Sequence, residues 1–249
     1  MARLNESRMG AVLTEAFAVR ASTSTHATPH AQHGAAILIG LDADVELTEA
    51  TGTRVHGRVV VVPPHLTHAV ASPGPTLGLL FDPERMPRAA AYSRARGGAF
   101  PMEGALSSRL HGALLAHRAS LANPAVLDGL ARELAHWLPR DTVPAPIDGR
   151  VARVLEALRD PCEDSREVIA RLRISPAHLQ ALFVRDVGMP IRTYRLWRRL
   201  LAAVASLRPD GATEAAHAVG FADLAHFSRT CRRMLGYSPT GLSGQLMRT

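Results

Sequence analysis

Residues 174–188 read Ile174-Ser175-Pro176-Ala177-His178-Leu179-Gln180-Ala181-Leu182-Phe183-Val184-Arg185-Asp186-Val187-Gly188. Serine is a strong helix N-cap, proline at the next position lacks only an N–H that would go unbonded anyway, and glycine closes helices in the left-handed conformation. Leu179, Leu182 and Phe183 then fall on one buried stripe. Just upstream, residues 165–172 (SREVIARL) predict a shorter helix, with Ser165 as N-cap and Glu167 in its first turn. Arg173 and Ile174 turn the chain between the two. A short helix, a tight turn and a longer helix make a helix-turn-helix.

The pattern recurs downstream. Residues 151–158 form an amphipathic helix through Val151, Val154, Leu155 and Leu158. A long helix is expected from Pro190 to about Leu207, broken by Pro209-Asp210-Gly211. A second short helix follows at 212–219, then the turn Gly220-Phe221-Ala222, Asp223 as N-cap, a helix over 224–235, and Gly236 at its end. Phe227, Cys231 and Leu235 repeat the buried stripe at i, i+4 and i+8.

Charge supports the same division. The chain of 249 residues carries +7, and its basic residues are all arginine. Residues 1–149 hold 13 arginines and 13 acidic residues, whereas residues 150–249 hold 16 arginines against 9 acids, so the whole excess lies in the last hundred residues. A basic domain beside a neutral one is the electrostatic footprint of nucleic-acid binding. With 47% apolar residues the chain can fill cores, and its longest apolar run, residues 35–41, is too short for a bilayer span. No secretion signal is read at the N-terminus, and two cysteines make no disulfide framework, so a cytoplasmic protein with no membrane partner is expected.

The first half reads as strands. Residues 36–41 (AILIGL), 45–48, 58–62 (RVVVV) and 76–81 (TLGLLF) are short apolar runs punctuated by turn residues, which suggests an antiparallel barrel or sandwich. Leu106, Leu110, Leu114 and Leu115, then Leu127, Leu130, Leu134 and Trp137, mark two helices. Their stripes suit either packing on the barrel or a homodimer interface. Residues 139–146 (PRDTVPAP) read as a linker. The expected organisation is multidomain α+β: residues 1–138 a barrel with following helices, 139–149 the linker, and 150–249 an all-α domain with two helix-turn-helix units.

Residues 151–242 resemble the DNA-binding domain of the AraC/XylS class of bacterial transcription regulators. The resemblance is carried by Ala170-x-x-x-Ile174-Ser175, Leu179-x-x-Leu182-Phe183, Gly188-Met189-Pro190, Tyr194 and Arg199-Leu200-x-x-Ala203. It continues through Ala216-x-x-Val219-Gly220-Phe221-x-Asp223, His226-Phe227-Ser228-Arg229, Arg232 and Gly236-Tyr237-Ser238-Pro239. Three departures stand out: Arg173 where the family usually has glycine, Ala215 where it has a larger aliphatic, and Leu242-Ser243 after the final motif. Residues 30–85 resemble more faintly the cupin-like sensory domain often fused ahead of such regulators. There the carriers are His30-x-x-His33, Val62-Pro63-Pro64-x-x-x-His68 and Phe81-Asp82-Pro83-Glu84. Together these imply a regulator, read as an activator, that binds double-stranded DNA in the major groove and answers to a small-molecule effector. An activator would also contact RNA polymerase.

In the first unit the face opposite the stripe holds Ala177, His178, Gln180, Ala181, Val184 and Arg185. Gln180 suits adenine, whose N6 and N7 an amide can bond together, and the alanines suit a thymine methyl. By the resemblance, Ala177, Gln180 and Ala181 occupy the base-contacting positions. The second unit exposes Leu224, Ala225, Ser228, Arg229 and Arg232. Arg229 suits either guanine or a phosphate. Arg192, Arg195 and Arg198 would meet phosphates along the connecting helix. His226 reads as a packing or capping residue.

Eight of the 12 histidines lie in residues 26–117, which raises a metal reading. Cupin metal motifs pair H-x-H with a nearby glutamate, but after His65-x-x-His68 the first glutamate is Glu84. His30, His33 and His68 are therefore taken as candidate ligand-binding residues, with no metal and no cofactor assigned. No phosphate loop, nucleophile elbow or CxxC is present, so no enzyme activity is expected. The alternative is a metal-dependent cupin enzyme with an appended helical domain.

Overall fold

The computed structural model describes residues 11–139, 143–159, 166–208 and 211–243. Contacts divide the chain into two units, residues 1–144 with 231–249, and residues 145–230. The division at Pro144 falls inside the linker read from the sequence. The second division runs through a helix, and so counts residues 231–249 with the barrel where the sequence reading kept them with the helical domain.

The first unit is built on two antiparallel sheets. One has six strands: β1 (Ala11–Leu13), β2 (Phe17–Ser22), β4 (Ala35–Gly40), β7 (Val59–Val62), β9 (Thr76–Phe81) and β10 (Phe100–Pro101), in the order β1-β2-β9-β4-β7-β10. The other has four: β3 (Thr25–His30), β5 (Val45–Glu49), β6 (Arg54–Gly57) and β8 (His68–Ser72), in the order β3-β8-β5-β6. Such a double-sheet arrangement is the cupin-like fold that the first half of the chain was expected to adopt.

The uninterrupted valines of β7 have a plain cause: both faces of the six-stranded sheet are covered. Val60 and Val62 join Val45, Leu47 and Val70 in one core, whereas Val59 and Val61 face a larger one with Ile37, Ile39, Leu77 and Phe81. Three helices complete that larger core, α1 (Pro87–Arg94), α2 (Gly104–Ala116) and α3 (Pro124–Trp137). Leu110, Leu114, Leu127, Leu130 and Leu134 are buried in it. The two helical stripes found in the sequence thus pack on the chain's own sheet.

β3 is an outer strand, and two donors at and just beyond its end are bonded. Thr28 N–H donates to the Gly236 carbonyl at 3.2 Å, and Ala31, just beyond the strand, donates to that of Arg233 at 3.1 Å. Arg20 donates to the Tyr237 hydroxyl at 2.6 Å and stacks 4.0 Å from its ring centroid. Gly236 has φ +78, and a Cβ there would stand 2.7 Å from His30 Nδ1, so both the turn and the close approach require glycine.

The second unit is helical. α4 (Gly149–Ala157), α5 (Arg166–Arg171), α6 (Pro176–Val187) and the start of α7 (Ile191–Ala205) share one core around Phe183, Val151, Val154 and Leu179. α8 (Ala212–Ala218) and α9 (Leu224–Leu235) follow, then a short α10 (Pro239–Ser243). Ser165, Pro209 and Asp210, given roles above, lie outside the described residues.

Candidate nucleic-acid interface

The first helix-turn-helix forms as its capping residues dictate. Ser175 Oγ accepts the His178 N–H at 3.2 Å, Pro176 opens α6, and Gly188, at φ +86, donates its N–H to the Val184 carbonyl at 2.9 Å. Leu179, Leu182, Phe183 and Val187 are buried, with Phe183 edge-on to Tyr194 at 5.6 Å. The opposite face is open: Ala177, His178, Ala181, Val184 and Arg185 are exposed, and Gln180 is half-buried. Arg173, in the turn, has φ +53, the left-handed region that glycine occupies freely.

The second unit repeats this chemistry. Asp223 Oδ1 accepts the His226 N–H at 2.6 Å and starts α9, while Gly220 takes φ +80 in the turn. Phe227 and Cys231 are fully buried, and burial pushes the Cys231 thiol up to about 12. His226 packs edge-on to Phe221 at 5.2 Å. Leu224, Ala225, Arg229 and Arg232 are exposed, and Ser228 is half-buried. Both Ala215 and Ala216 are buried in α8.

Between the units, α7 buries Tyr194, Trp197, Leu200, Ala203 and Val204. Its 15 residues are fewer than the sequence suggested. At 1.5 Å per residue they span about 22 Å, and with the flanking turns they approach the ~34 Å between major-groove segments on one face of DNA. The arginines of α7 divide by role. Arg192 is exposed and Arg195 half-buried. Arg198 instead donates to the Arg159 carbonyl at 3.0 Å, and Arg199 to that of Gly220 at 3.1 Å. Sequence reasoning put Arg198 with the phosphate contacts, and missed that an arginine one residue later ties the connector to the second turn.

In the barrel the three candidate histidines separate. His30 and His68 pair across β3 and β8 with ring centroids 4.4 Å apart. Burial lowers the pKa of both, that of His68 to about 4. His33 belongs elsewhere: its Nε2 bonds Glu84 at 2.9 Å and its Nδ1 faces His65 Nε2 at 3.3 Å. Asp82 lies beside them, raised to about 6 by burial and then by the charge of Glu84. Glu84, distant in sequence, thus meets a histidine after all. Among the described residues, however, no three His, Cys, Asp or Glu side chains are arranged to hold a metal. A surface cavity of about 310 Å³ opens between α1 and α3, lined by Arg85, Met86, Arg88, Ala135, His136 and Leu138. None of the three histidines lines it. No helix among the described residues is long and apolar enough to cross a membrane.

Known proteins agree with this geometry. A family model described as a helix-turn-helix domain matches residues 168–244. The transcriptional activator RhrA of Rhizobium meliloti (strain 1021) is 31% identical over 121 residues, covering 47% of this chain and 38% of that protein. ToxT of Vibrio cholerae, in a 1.65 Å structure, superposes with a TM-score of 0.55 at 10% identity, over 93% of this chain and 99% of that one. Its unsaturated fatty acid bound form gives 0.53 at 11% identity, over 94% and 99%. At such identities the ToxT likeness speaks for the fold. Two capped and tightly turned helix pairs, joined by one long helix, fall on the residues that the helix-turn-helix model matches, 168–244.

Proposed function

We propose that the chain is a sequence-specific transcription regulator, an activator, that binds two successive major-groove segments of double-stranded DNA. One observation carries this reading: two helices, α6 and α9, each hold a buried stripe against the fold and an open face toward solvent, in a half of the chain that carries all of the net charge. Gln180, with Ala177, His178 and Ala181, reads base edges in the first groove. Arg229, with Leu224, Ala225, Ser228 and Arg232, engages the second, and Arg192 and Arg195 meet phosphates between them. Arg185 lies at the rim of the first interface.

The first half of the chain is proposed to sense a small molecule, as the fatty-acid-bound ToxT suggests for a protein of this fold. The cavity between α1 and α3 offers apolar walls beside Arg88, with Arg85 already paired to Glu15, which suits an amphipathic anion. The His30–His68 pair would then serve the barrel's stability. A homodimer and RNA polymerase are further proposed partners, and the protein is proposed to work in the cytoplasm.

Mapping bound sites across the genome with the full chain tests the reading. A shared sequence motif spanning two major grooves is expected, and binding with no preference over random DNA would overturn it.

A further inference from the structure

Asp186 stands in an unfavourable place for a carboxylate. It is the second-last residue of α6, where the negative end of the helix dipole repels an anion. Its side chain is nevertheless only 4% exposed. Both oxygens are engaged: Oδ1 accepts from Arg185 Nε at 2.6 Å, and Oδ2 from the backbone N–H of Asp148 at 2.8 Å. Asp148 in turn caps α4, and its own carboxylate takes Arg150 at 2.7–2.9 Å. Two neighbouring carboxylates are thus each matched to a separate arginine. Burial opposes the Asp186 charge, but the Arg185 guanidinium and the Asp148 N–H hold its carboxyl below the usual range.

The pairing sets the charge of the first recognition helix. At neutral pH the fixed charges of α6 are Arg185 and Asp186, which offset one another. α9 carries Arg229, Arg232 and Arg233 and no acidic residue. Arg185 is 60% exposed at the rim of the open face of α6, so it could reach a phosphate if it were not held by its neighbour.

We propose that Asp186 is a positioning residue: by holding Arg185 it withholds one phosphate contact from the first recognition helix and so limits affinity for DNA of any sequence. This rests on the DNA-binding reading given above. Sequence-independent affinity comes from phosphate contacts and grows with each one, whereas discrimination comes from base edges. A cation withheld from the backbone therefore lowers binding to random DNA and to the specific site alike.

The full chain is titrated with a random-sequence duplex and with a mapped site at several salt concentrations. Asp186→Asn is expected to steepen the salt dependence on random DNA by about one contact, roughly a threefold larger loss of affinity between 50 and 200 mM salt. Affinity for the specific site should rise by the same factor, leaving the ratio of specific to random binding unchanged, and the double change Asp186→Asn, Arg185→Gln should restore the wild-type slope. Arg185→Gln alone, whose amide can still donate to Asp186, should leave the slope unchanged, with thermal unfolding checked alongside. A slope that Asp186→Asn does not alter, an increase that survives Arg185→Gln, or a slope that Arg185→Gln alone lowers would each overturn the proposal. A wild-type chain without salt-dependent DNA binding would overturn the DNA-binding reading as well, whereas a steep wild-type slope with any of those results removes this inference alone.

Discussion

Arg199 on the connecting helix donates to the carbonyl oxygen of Gly220 at 3.1 Å, and its guanidinium lies 5.8 Å from the Phe221 ring centroid. One side chain thereby joins α7 to the turn that aims α9. Arg199→Ala should destabilise the protein by about 1 kcal/mol, the net value of a typical hydrogen bond. Affinity for the specific site should fall with it, because the second recognition helix loses its alignment. Chemical denaturation and a binding titration check both; wild-type values in each would show that the contact aims nothing.

Gln180 lies one turn into α6, opposite Leu179, Leu182 and Phe183. Gln180→Ala should cost about 1–3 kcal/mol on the specific site and little on random DNA. Equal losses on both would mean that the open face of α6 does not read bases.

Arg173 holds a left-handed backbone in the first turn, at φ +53. Relief of that strain by Arg173→Gly should raise stability by about 1 kcal/mol, less the greater entropy of glycine in the unfolded chain. Arg173→Ala keeps the strain and should bring no gain. Thermal unfolding of the two variants decides the matter, and equal behaviour would place no strain at this residue.

The paired histidines give the barrel a dependence on pH. His68 is held at about 4 and His30 is also lowered from 6.5, so between those values the unfolded chain binds protons that the folded one refuses. Their contribution is therefore complete above pH 6.5 and is lost as pH falls toward 4. Asp82, raised to about 6 from 3.8, works in the opposite sense: its contribution is present below pH 3.8 and is lost as pH rises through 6. Denaturation of His68→Asn across this range should show a shallower loss on the acid side than wild type, and Asp82→Asn should gain stability near pH 7. Parallel curves for all three proteins would remove these groups from the pH response.

What the sequence disclosed followed the physics of each element. The helical half was legible because Ser175, Asp223, Gly188 and Gly220 act through local backbone chemistry, which a sequence displays directly. Strands β4, β7 and β9 were legible because they are apolar runs, and β5 because its VELTE alternates β-branched or apolar with polar residues. β2, β3 and β8 were not, since FAVRAS, THATPH and HAVAS are rich in small or polar residues and give no sustained apolar pattern. α1 was missed as well: its PRAAAYSR has only small apolar residues to mark a stripe. At the sites, residue type was readable and partnership was not. Glu84 meeting His33, Asp186 holding Arg185 and Arg198 turning to Arg159 are all products of folding. The glutamate was discounted for being too distant in sequence, although the fold closes that distance.

The donors of β3 have a consequence for keeping copies of the protein apart. A bare outer strand is a template on which another chain can add its own strand, and the resulting stacks lead to precipitation. Here Pro29 has no N–H to offer, while Thr28 and Ala31 give theirs to the carbonyls of Gly236 and Arg233. The residues around Gly236 thus occupy that end of the strand's edge, so a second chain cannot pair there without displacing them.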